Sequence, residues 1–188
     1  MPAEIRFGST RWATLAVALV NTAPAPRHGD GLTSPADLRT LLLDHDEPEP
    51  VDVDDGDLAD ALAARTALAD VFAAEGDEER IAAALNELLS RTARPRLAAH
   101  GGTPLHLHVD APDSTWGGWL AATGAMALAL LVADHGVGIL GRCAAPDCPH
   151  AVLRLGPGPA RRFCDSTCAS RTRVAAYRAR RRPEGLPT

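Results

Sequence analysis

Leucine, isoleucine and valine recur at intervals of three and four residues through much of the chain, which is the period of an amphipathic helix. Polar and small residues mark several helix ends: Ser34 can cap a helix that begins at Pro35, and Gly136 can end another. The apolar run 12–20 is too short for its period to separate a buried strand from a helix. Helices are predicted over 35–45, 58–74, 77–91 and 115–135.

Residues 105–109 alternate strictly between apolar and polar, which predicts a half-buried strand. Its apolar side chains are expected to face the core, while His106 and His108 face the solvent together. A histidine pair can bind a metal, but the sequence offers no third ligand beside it. A solvent-facing pair is therefore the better interpretation.

Residues 46–57 are acidic and contain two prolines, so we expect a solvated linker there. The alternative is a calcium loop, because closely spaced carboxylates can bind calcium. Gly56 stands too late in the segment for that loop, and no glutamate closes the coordination. The linker fits the sequence better.

Charge divides the chain unevenly. Residues 1–140 hold nine arginines and 21 acidic residues, a balance of −12, whereas residues 141–188 hold ten arginines and three acidic residues, a balance of +7. The asymmetry favours a basic module that contacts a polyanion and is carried by an acidic body. The alternative is that the two parts attract each other.

Two apolar segments bear on the location of the protein. Residues 12–20 precede a small-residue stretch at 23–25, but Glu4 and the shortness of the run argue against a signal peptide. The run 119–133 is shorter than the roughly 20 residues that span a bilayer. We therefore expect a cytoplasmic protein with no membrane partner.

The only four cysteines of the chain are arranged as Cys143-x4-Cys148 and, after fifteen residues, Cys164-x3-Cys168. Two sulfur pairs joined by a hairpin-sized loop suit a tetrahedral metal ion, and four thiolates leave no open position on it. One structural Zn2+ is therefore predicted. Three alternatives stay open: two disulfides in a secreted protein, His150 in place of one cysteine, and an iron–sulfur cluster.

The sequence around the cysteines predicts a small treble-clef-like zinc finger. Residues 152–155 and 161–163 are the expected hairpin strands, joined by a turn at 156–159. A helix follows, capped by Asp165 or Ser166 and ending near Arg182. The predicted fold class is α+β, with a mostly helical body of few strands over 1–138 and the zinc finger over 139–183.

The helix after the cysteines carries an arginine-rich face. At 100° per residue, Thr172, Ala175 and Ala179 share the side of Cys168 and are expected to pack inward. The other side is basic, and such a face on a rigid module suits phosphate contact and entry into a groove of DNA. The predicted nucleic-acid-binding residues are Arg161, Arg162, Arg173, Tyr177, Arg178, Arg180, Arg181 and Arg182.

The segment Cys164-Asp-Ser-Thr-Cys168-Ala-Ser-Arg171, with the arginine-rich helix behind it, resembles the CGNR zinc-finger proteins. That family carries an N-terminal ABATE domain and is described as stress-induced transcription regulators. Leu19-Val-Asn-Thr22 followed by Arg27 resembles the opening motif of the ABATE domain. The resemblance implies zinc ligands at Cys143, Cys148, Cys164 and Cys168.

Two departures from the family pattern affect the expected DNA contacts. Ala169 and Ser170 stand where the signature has glycine and asparagine, and residues 152–158 replace the usual Phe-x-Asp-x-Ser stretch. Both departures leave the zinc ligands intact. Arg171, the last residue of the signature, either braces the zinc site or contacts DNA.

These observations predict a zinc-dependent DNA-binding protein, a bacterial transcription regulator whose body senses a small-molecule effector or mediates assembly. The alternative is a zinc-stabilised module that binds protein or RNA without sequence-specific DNA readout. An enzyme is not expected, because 1–136 contains no nucleophile–base set, glycine-rich phosphate loop or His-Glu metal motif. A homodimer would suit a DNA reader, although no sequence feature demands one.

Overall fold

The computed structural model describes residues 9–26, 28–99, 104–156 and 160–181. The helices are α1 (Ser9–Asn21), α2 (Pro35–Leu43), α3 (Asp55–Ala73), α4 (Glu78–Thr92), α5 (Trp116–His135) and α6 (Ser166–Arg181). The strands are β1 (Arg96–Ala98), β2 (His106–His108), β3 (Leu140–Arg142) and β4 (Ala151–Leu153). They pair as two antiparallel ribbons, β1 with β2 and β3 with β4. The fold class is α+β and mostly helical, as predicted.

Helix α5 forms the centre of the body. It packs against α1, α3 and α4, and its buried positions run from Gly117 to Leu131. It has 20 residues, more than the apolar run counted in the sequence, and by length and composition alone it could cross a bilayer. Its contacts with three other helices account for its apolar composition, because a helix that is hydrophobic all round is typical of a core.

Small residues let the neighbouring helices approach α5 closely. A side chain at Gly117 would overlap the α3 backbone at Asp60 and Ala61. Further along α5, a Cβ at Gly124 would lie only 3.1 Å from the Cβ of Ala16 on α1. Close backbone approach therefore fixes how these three helices cross.

The helix ends predicted at Ser34 and Gly136 are present. The Ser34 hydroxyl accepts the N–H of Asp37 while the Asp37 carboxylate accepts the N–H of Ser34, so α2 begins with a capping box. Thr115 caps α5, and Gly136 ends it with a φ of 78°, a backbone conformation that favours glycine. The run 12–20, which the sequence left open between strand and helix, lies within α1.

The acidic segment before α3 is not a solvated linker throughout, so that prediction is wrong in part. Val51 is 2% exposed and joins the core, and the Glu47 carboxylate pairs with Arg11 at 2.9 Å. Asp54 and Asp57 form a second capping box, which starts α3 three residues earlier than predicted. The acidic pattern indicated a solvated segment, but two of its carboxylates belong to the capping box of α3.

The strand predicted around His106 and His108 is present as β2, but its faces are reversed. Leu105 and Leu107 are 65% and 38% exposed, whereas both histidines are partly buried. The two imidazoles contact each other, Nε2 to Nε2 at 3.0 Å, and His108 Nδ1 lies 3.5 Å from the Asp110 carboxylate. The histidine side faces the body, where His108 lines a cavity together with Trp116, and the leucine side faces outward.

Candidate metal centre and arginine helix

The ribbon of β3 and β4 presents the first two cysteines. Just beyond the last strand pair, the N–H of Cys143 donates to the carbonyl of His150 at 2.8 Å. The chain between them turns sharply at Asp147, whose φ of 61° is one that aspartate tolerates better than most residues. This turn places Cys148 back beside Cys143.

The predicted hairpin is therefore wrong in its pairing. β4 pairs with β3, which precedes the cysteines, and residues 161–163 form no strand. The carbonyl of Arg162 accepts the N–H of Ala144 at 2.7 Å, and so holds the second segment against the knuckle. The sequence concealed β3 because Leu-Gly-Arg is too short to alternate, and because Gly141 makes room for the guanidinium of Arg154, which lies across it.

The N-terminus of α6 presents the other two cysteines. Of the two predicted caps, Asp165 and Ser166, the structure selects Asp165: its Oδ1 accepts the N–H of Cys168 at 2.6 Å, and this bond lowers the pKa of the Asp165 carboxyl. Cys168 lies in the first turn and is 2% exposed, and Cys164 directly precedes the cap. The positive end of the helix dipole at this point favours thiolates.

The four sulfur atoms lie within 4.8 Å of one another. Cys164 Sγ stands 3.7 Å from Cys148 Sγ and 3.6 Å from Cys168 Sγ. A zinc ion bound to four sulfurs at about 2.3 Å sets tetrahedral edges of about 3.8 Å, whereas a disulfide requires about 2.05 Å. The cluster fits one tetrahedral zinc ion, and the four thiols are free of disulfides.

His150, the alternative ligand, takes no place in the cluster. Among the described residues, the four cysteines form the only group of three or more ligating side chains positioned for one metal ion. The imidazole of His150 instead stacks near that of His28, with ring centroids 5.9 Å apart. The coordination set is therefore four sulfurs.

The thiols require a cation to ionise together. Burial raises the pKa of Cys164 and of Cys168, the latter to about 11. Burial also opposes ionisation of Cys143, but hydrogen bonds from the N–H groups of Ala145 and Cys164 and from the neighbouring thiols together lower that pKa. Zinc supplies the compensating charge and displaces the thiol protons on binding. With four protein ligands the site is closed, so the ion is structural and holds the knuckle to α6.

Two of the predicted nucleic-acid contacts brace the module itself. Arg171 Nη2 donates to the sulfur of Cys168 at 3.7 Å, which favours the bracing role left open by the sequence. Arg161 Nε donates to the carbonyl of Phe163 at 3.0 Å, and its Nη2 donates to the carbonyl of Cys164. Both guanidinium groups therefore help to hold the loop around the cysteines.

Beyond Thr172, α6 extends away from the module, and every position through Arg181 is exposed. The expected inward packing of Ala175 and Ala179 is therefore wrong. Thr172 alone of that set stays partly buried, and its hydroxyl donates to the carbonyl of Cys168 at 2.9 Å. The cysteines anchor only the first turn, and the rest of α6 has no apolar surface to pack against in the described part of the chain.

The exposed part of α6 carries most of the remaining predicted contacts. Arg181 lies over the ring of Tyr177, 5.0 Å from its centroid, and on the preceding loop Arg162 lies 5.7 Å over the ring of Phe163. Arg182 falls outside the described residues. The exposed arginines of the helix are Arg173, Arg178, Arg180 and Arg181.

Side chains that the sequence analysis did not single out join the zinc module to the body. At the end of α1, the Asn21 amide donates to the carbonyl of Ala151 at 3.0 Å and accepts its N–H at 2.7 Å, as a neighbouring strand would. After β4, Arg154 forms an ion pair with Glu75. The only sequence signal for this contact was the place of Asn21 in the motif 19–22.

Comparison with protein families accounts for most of the chain. The ABATE profile, described as "Putative stress-induced transcription regulator", matches residues 13–135, which is more than half of the sequence. The chain belongs to the ABATE family. In this ABATE protein, the CGNR zinc-finger profile matches residues 140–181, a range that contains all four cysteines. A search of curated proteins found no match to this ABATE protein.

Proposed function

We propose that this protein is a zinc-dependent DNA-binding transcription regulator in which α6 contacts DNA. The observation that carries the proposal is the exposed stretch Arg173–Arg181, which holds four arginines and no acidic residue and is anchored at the metal centre. Its family of transcription regulators supports a regulatory role.

The dimensions of the exposed stretch fit a groove of DNA. Nine helical residues span about 13 Å, and the major groove of B-DNA, about 12 Å wide, admits an α-helix. Arg173 and Arg180 lie two turns apart on one face, with Tyr177 between them. Like charges on one helix repel each other, and phosphates relieve that repulsion.

The rest of the proposal concerns the body and the cell. Residues 1–138 would sense a small-molecule effector or mediate assembly, and residues 139–183 would contact DNA. A homodimer would present two α6 helices to successive turns of one duplex. The proposal places the protein in the cytoplasm and assigns it no enzymatic activity.

Salt dependence of duplex binding tests the proposal. For phosphate contacts, log affinity falls with log salt by roughly 0.9 per phosphate neutralised. The double variant Arg173→Ala/Arg180→Ala should therefore flatten the slope by about 1.8. Fluorescence anisotropy with a labelled duplex at several salt concentrations measures both slopes.

The matched control is Arg80→Ala/Arg91→Ala, which removes the same charge from exposed positions on α4. It should leave the slope unchanged. Equal effects of the two double variants, or no duplex binding by the zinc-loaded protein, would contradict the proposal. Binding to single-stranded RNA in place of duplex DNA would favour the alternative of an RNA-binding module.

A further inference from the structure

The body contains a cavity of about 470 Å³, within the range of small-molecule sites. It lies between the N-terminus of α5, the segment that precedes α3, and the β1–β2 ribbon. The ribbon leads directly into α5, whereas the segment that precedes α3 is distant from both in sequence. The zinc module contributes no residue to the lining.

One wall of the cavity is aromatic. The rings of Trp116 and Trp119 stand 5.6 Å apart at an interplanar angle of 84°, and Trp12 packs behind Trp119 at 5.1 Å. The indole N–H of Trp116 donates to the carbonyl of Asp52 at 2.8 Å, which fixes the orientation of that ring. Two indoles at right angles present π-faces in two directions, an arrangement that suits a cation.

The polar lining of the cavity is predominantly negative. Four carboxylates line it, against the single guanidinium of Arg96 and the imidazole of His108. Burial raises the pKa of Glu47, which is also paired with Arg11 outside the lining, so the other three carboxylates dominate the negative charge. Arg96 donates to the Asp110 carbonyl, and burial lowers the pKa of His108, which disfavours a positive charge there. The lining carboxylates are Glu47, Asp52, Asp57 and Asp110.

Two of these carboxylates retain bonding capacity. Asp110 is 8% exposed, and among the described residues its Oδ1 accepts no hydrogen bond; the imidazole of His108 lies 3.5 Å from it and the guanidinium of Arg96 lies 3.8 Å from it. Within the described part of the chain, the carboxylate of exposed Asp52 also has no partner. A buried oxygen without a hydrogen bond is costly, and a cationic ligand would offset that cost.

We propose that this cavity binds an organic cation, a primary to quaternary ammonium with an apolar body. The ammonium would lie against the indole faces near Asp52 and Asp110, and the apolar part would cover Trp119. An anionic ligand is disfavoured because the carboxylates outnumber the cations of the lining. The idea that this cation is the effector of the regulator rests on the sensing role proposed above. Binding of the cation itself can be measured without DNA.

Tryptophan emission provides a direct measurement, since all three tryptophans of the chain lie in this cluster. The zinc-loaded full chain is titrated with benzyltrimethylammonium and with choline. The comparison ligands are 3,3-dimethylbutanol, which has carbon in place of the choline nitrogen, and benzoate. Saturable binding is expected for the two cations, at least tenfold tighter than for the neutral compound.

Two variants locate the bound cation. Asp52→Asn removes one lining charge and should weaken binding roughly fivefold, and Trp116→Leu removes one π-face and should weaken it roughly tenfold. The control Asp70→Asn removes an exposed carboxylate of α3 that does not line the cavity, and should have no effect.

Equal binding of the neutral compound or of benzoate, absence of cation binding, or equal effects of Asp52→Asn and Asp70→Asn would overturn the proposal. Because Asp52→Asn changes only an exposed side chain, it stays informative if Trp116→Leu fails to fold. Duplex binding is measured in the same preparation. If the protein binds DNA but no cation, the cavity proposal fails while the proposed function stands, and the reverse result would contradict only the proposed function.

Discussion

Asp165 and Arg171 act on the same cysteine. Asp165 accepts the N–H of Cys168, and Arg171 donates to its sulfur. Four thiolates around one zinc ion carry a net charge of −2, so a guanidinium beside one sulfur stabilises the centre. The cysteines could be predicted because metal ligands follow a spacing rule. The bracing role of Arg171 could not, since no sequence rule assigns a guanidinium to a sulfur or to a phosphate.

Asp30 and Arg65 show how a charge pair ties a loop to a helix. The Asp30 carboxylate accepts two bonds from the guanidinium of Arg65, at 2.6 and 3.0 Å, and the N–H of Leu32 at 2.9 Å. The bond to Arg65 holds the pKa of Asp30 below its ordinary value of 3.8. Asp30→Asn should therefore lower the free energy of unfolding by about 1 kcal/mol at neutral pH, a modest value because the pair is partly exposed.

The sign of the pH dependence follows from the lowered pKa of Asp30. Its contribution is fully present above the ordinary value and is lost as the pH falls through the folded value, where the carboxyl becomes protonated. Urea unfolding from neutral pH down to about pH 3 should show the gap between wild type and Asp30→Asn narrowing. A gap that widens on acidification, or one matched by the exposed control Asp113→Asn, would refute this account of Asp30.

At the scale of elements, local sequence rules predicted most of the helices correctly, but they did not predict features that depend on tertiary contacts. Caps such as Ser34 and Thr115 act within one turn, so the starts of α2 and α5 could be read from the sequence. β4 bonds on one side to β3 and on the other to the amide of Asn21, which is 130 residues away from Ala151. The exposure of α6 beyond Thr172 is likewise a tertiary feature, because no apolar surface of the described residues lies against that part of the helix.

The crossing of α3 and α5 yields a prediction with two neighbouring glycines. A side chain at Gly117 would overlap the α3 backbone, whereas one at Gly118 would lie 3.4 Å from the nearest atom, an ordinary contact. Gly117→Ala should lower the free energy of unfolding by about 1–3 kcal/mol, since overpacking outweighs the gain in helix propensity of about 1 kcal/mol. Urea unfolding monitored by circular dichroism measures the change.

Gly118→Ala is the matched control, because it has the same propensity gain and no overlap. It should be neutral or stabilise the protein by up to about 1 kcal/mol. If both variants stabilise the protein equally, α3 and α5 do not cross at Gly117 as described.

At the scale of the whole molecule, an acidic body holds a basic module in a defined position. Asn21 bonds to the backbone of Ala151, and Glu75 pairs with Arg154, so the metal centre and α6 are tied to the helical core. The charge division along the chain falls near the boundary between the ABATE match, 13–135, and the zinc-finger match, 140–181. The cavity could not be predicted, because its carboxylates and tryptophans come from segments without a shared local pattern.

Dependence of duplex binding on the metal tests the central claim most directly, namely that zinc orients the arginine face of α6 for contact with DNA. Anisotropy titrations at low salt compare the zinc-loaded protein, the chelated protein, the chelated protein refilled with zinc, and Cys164→Ser. We predict at least a tenfold loss of affinity on chelation, full recovery with zinc, and no recovery in Cys164→Ser. Equal affinity of the zinc-loaded and zinc-free proteins would contradict the claim.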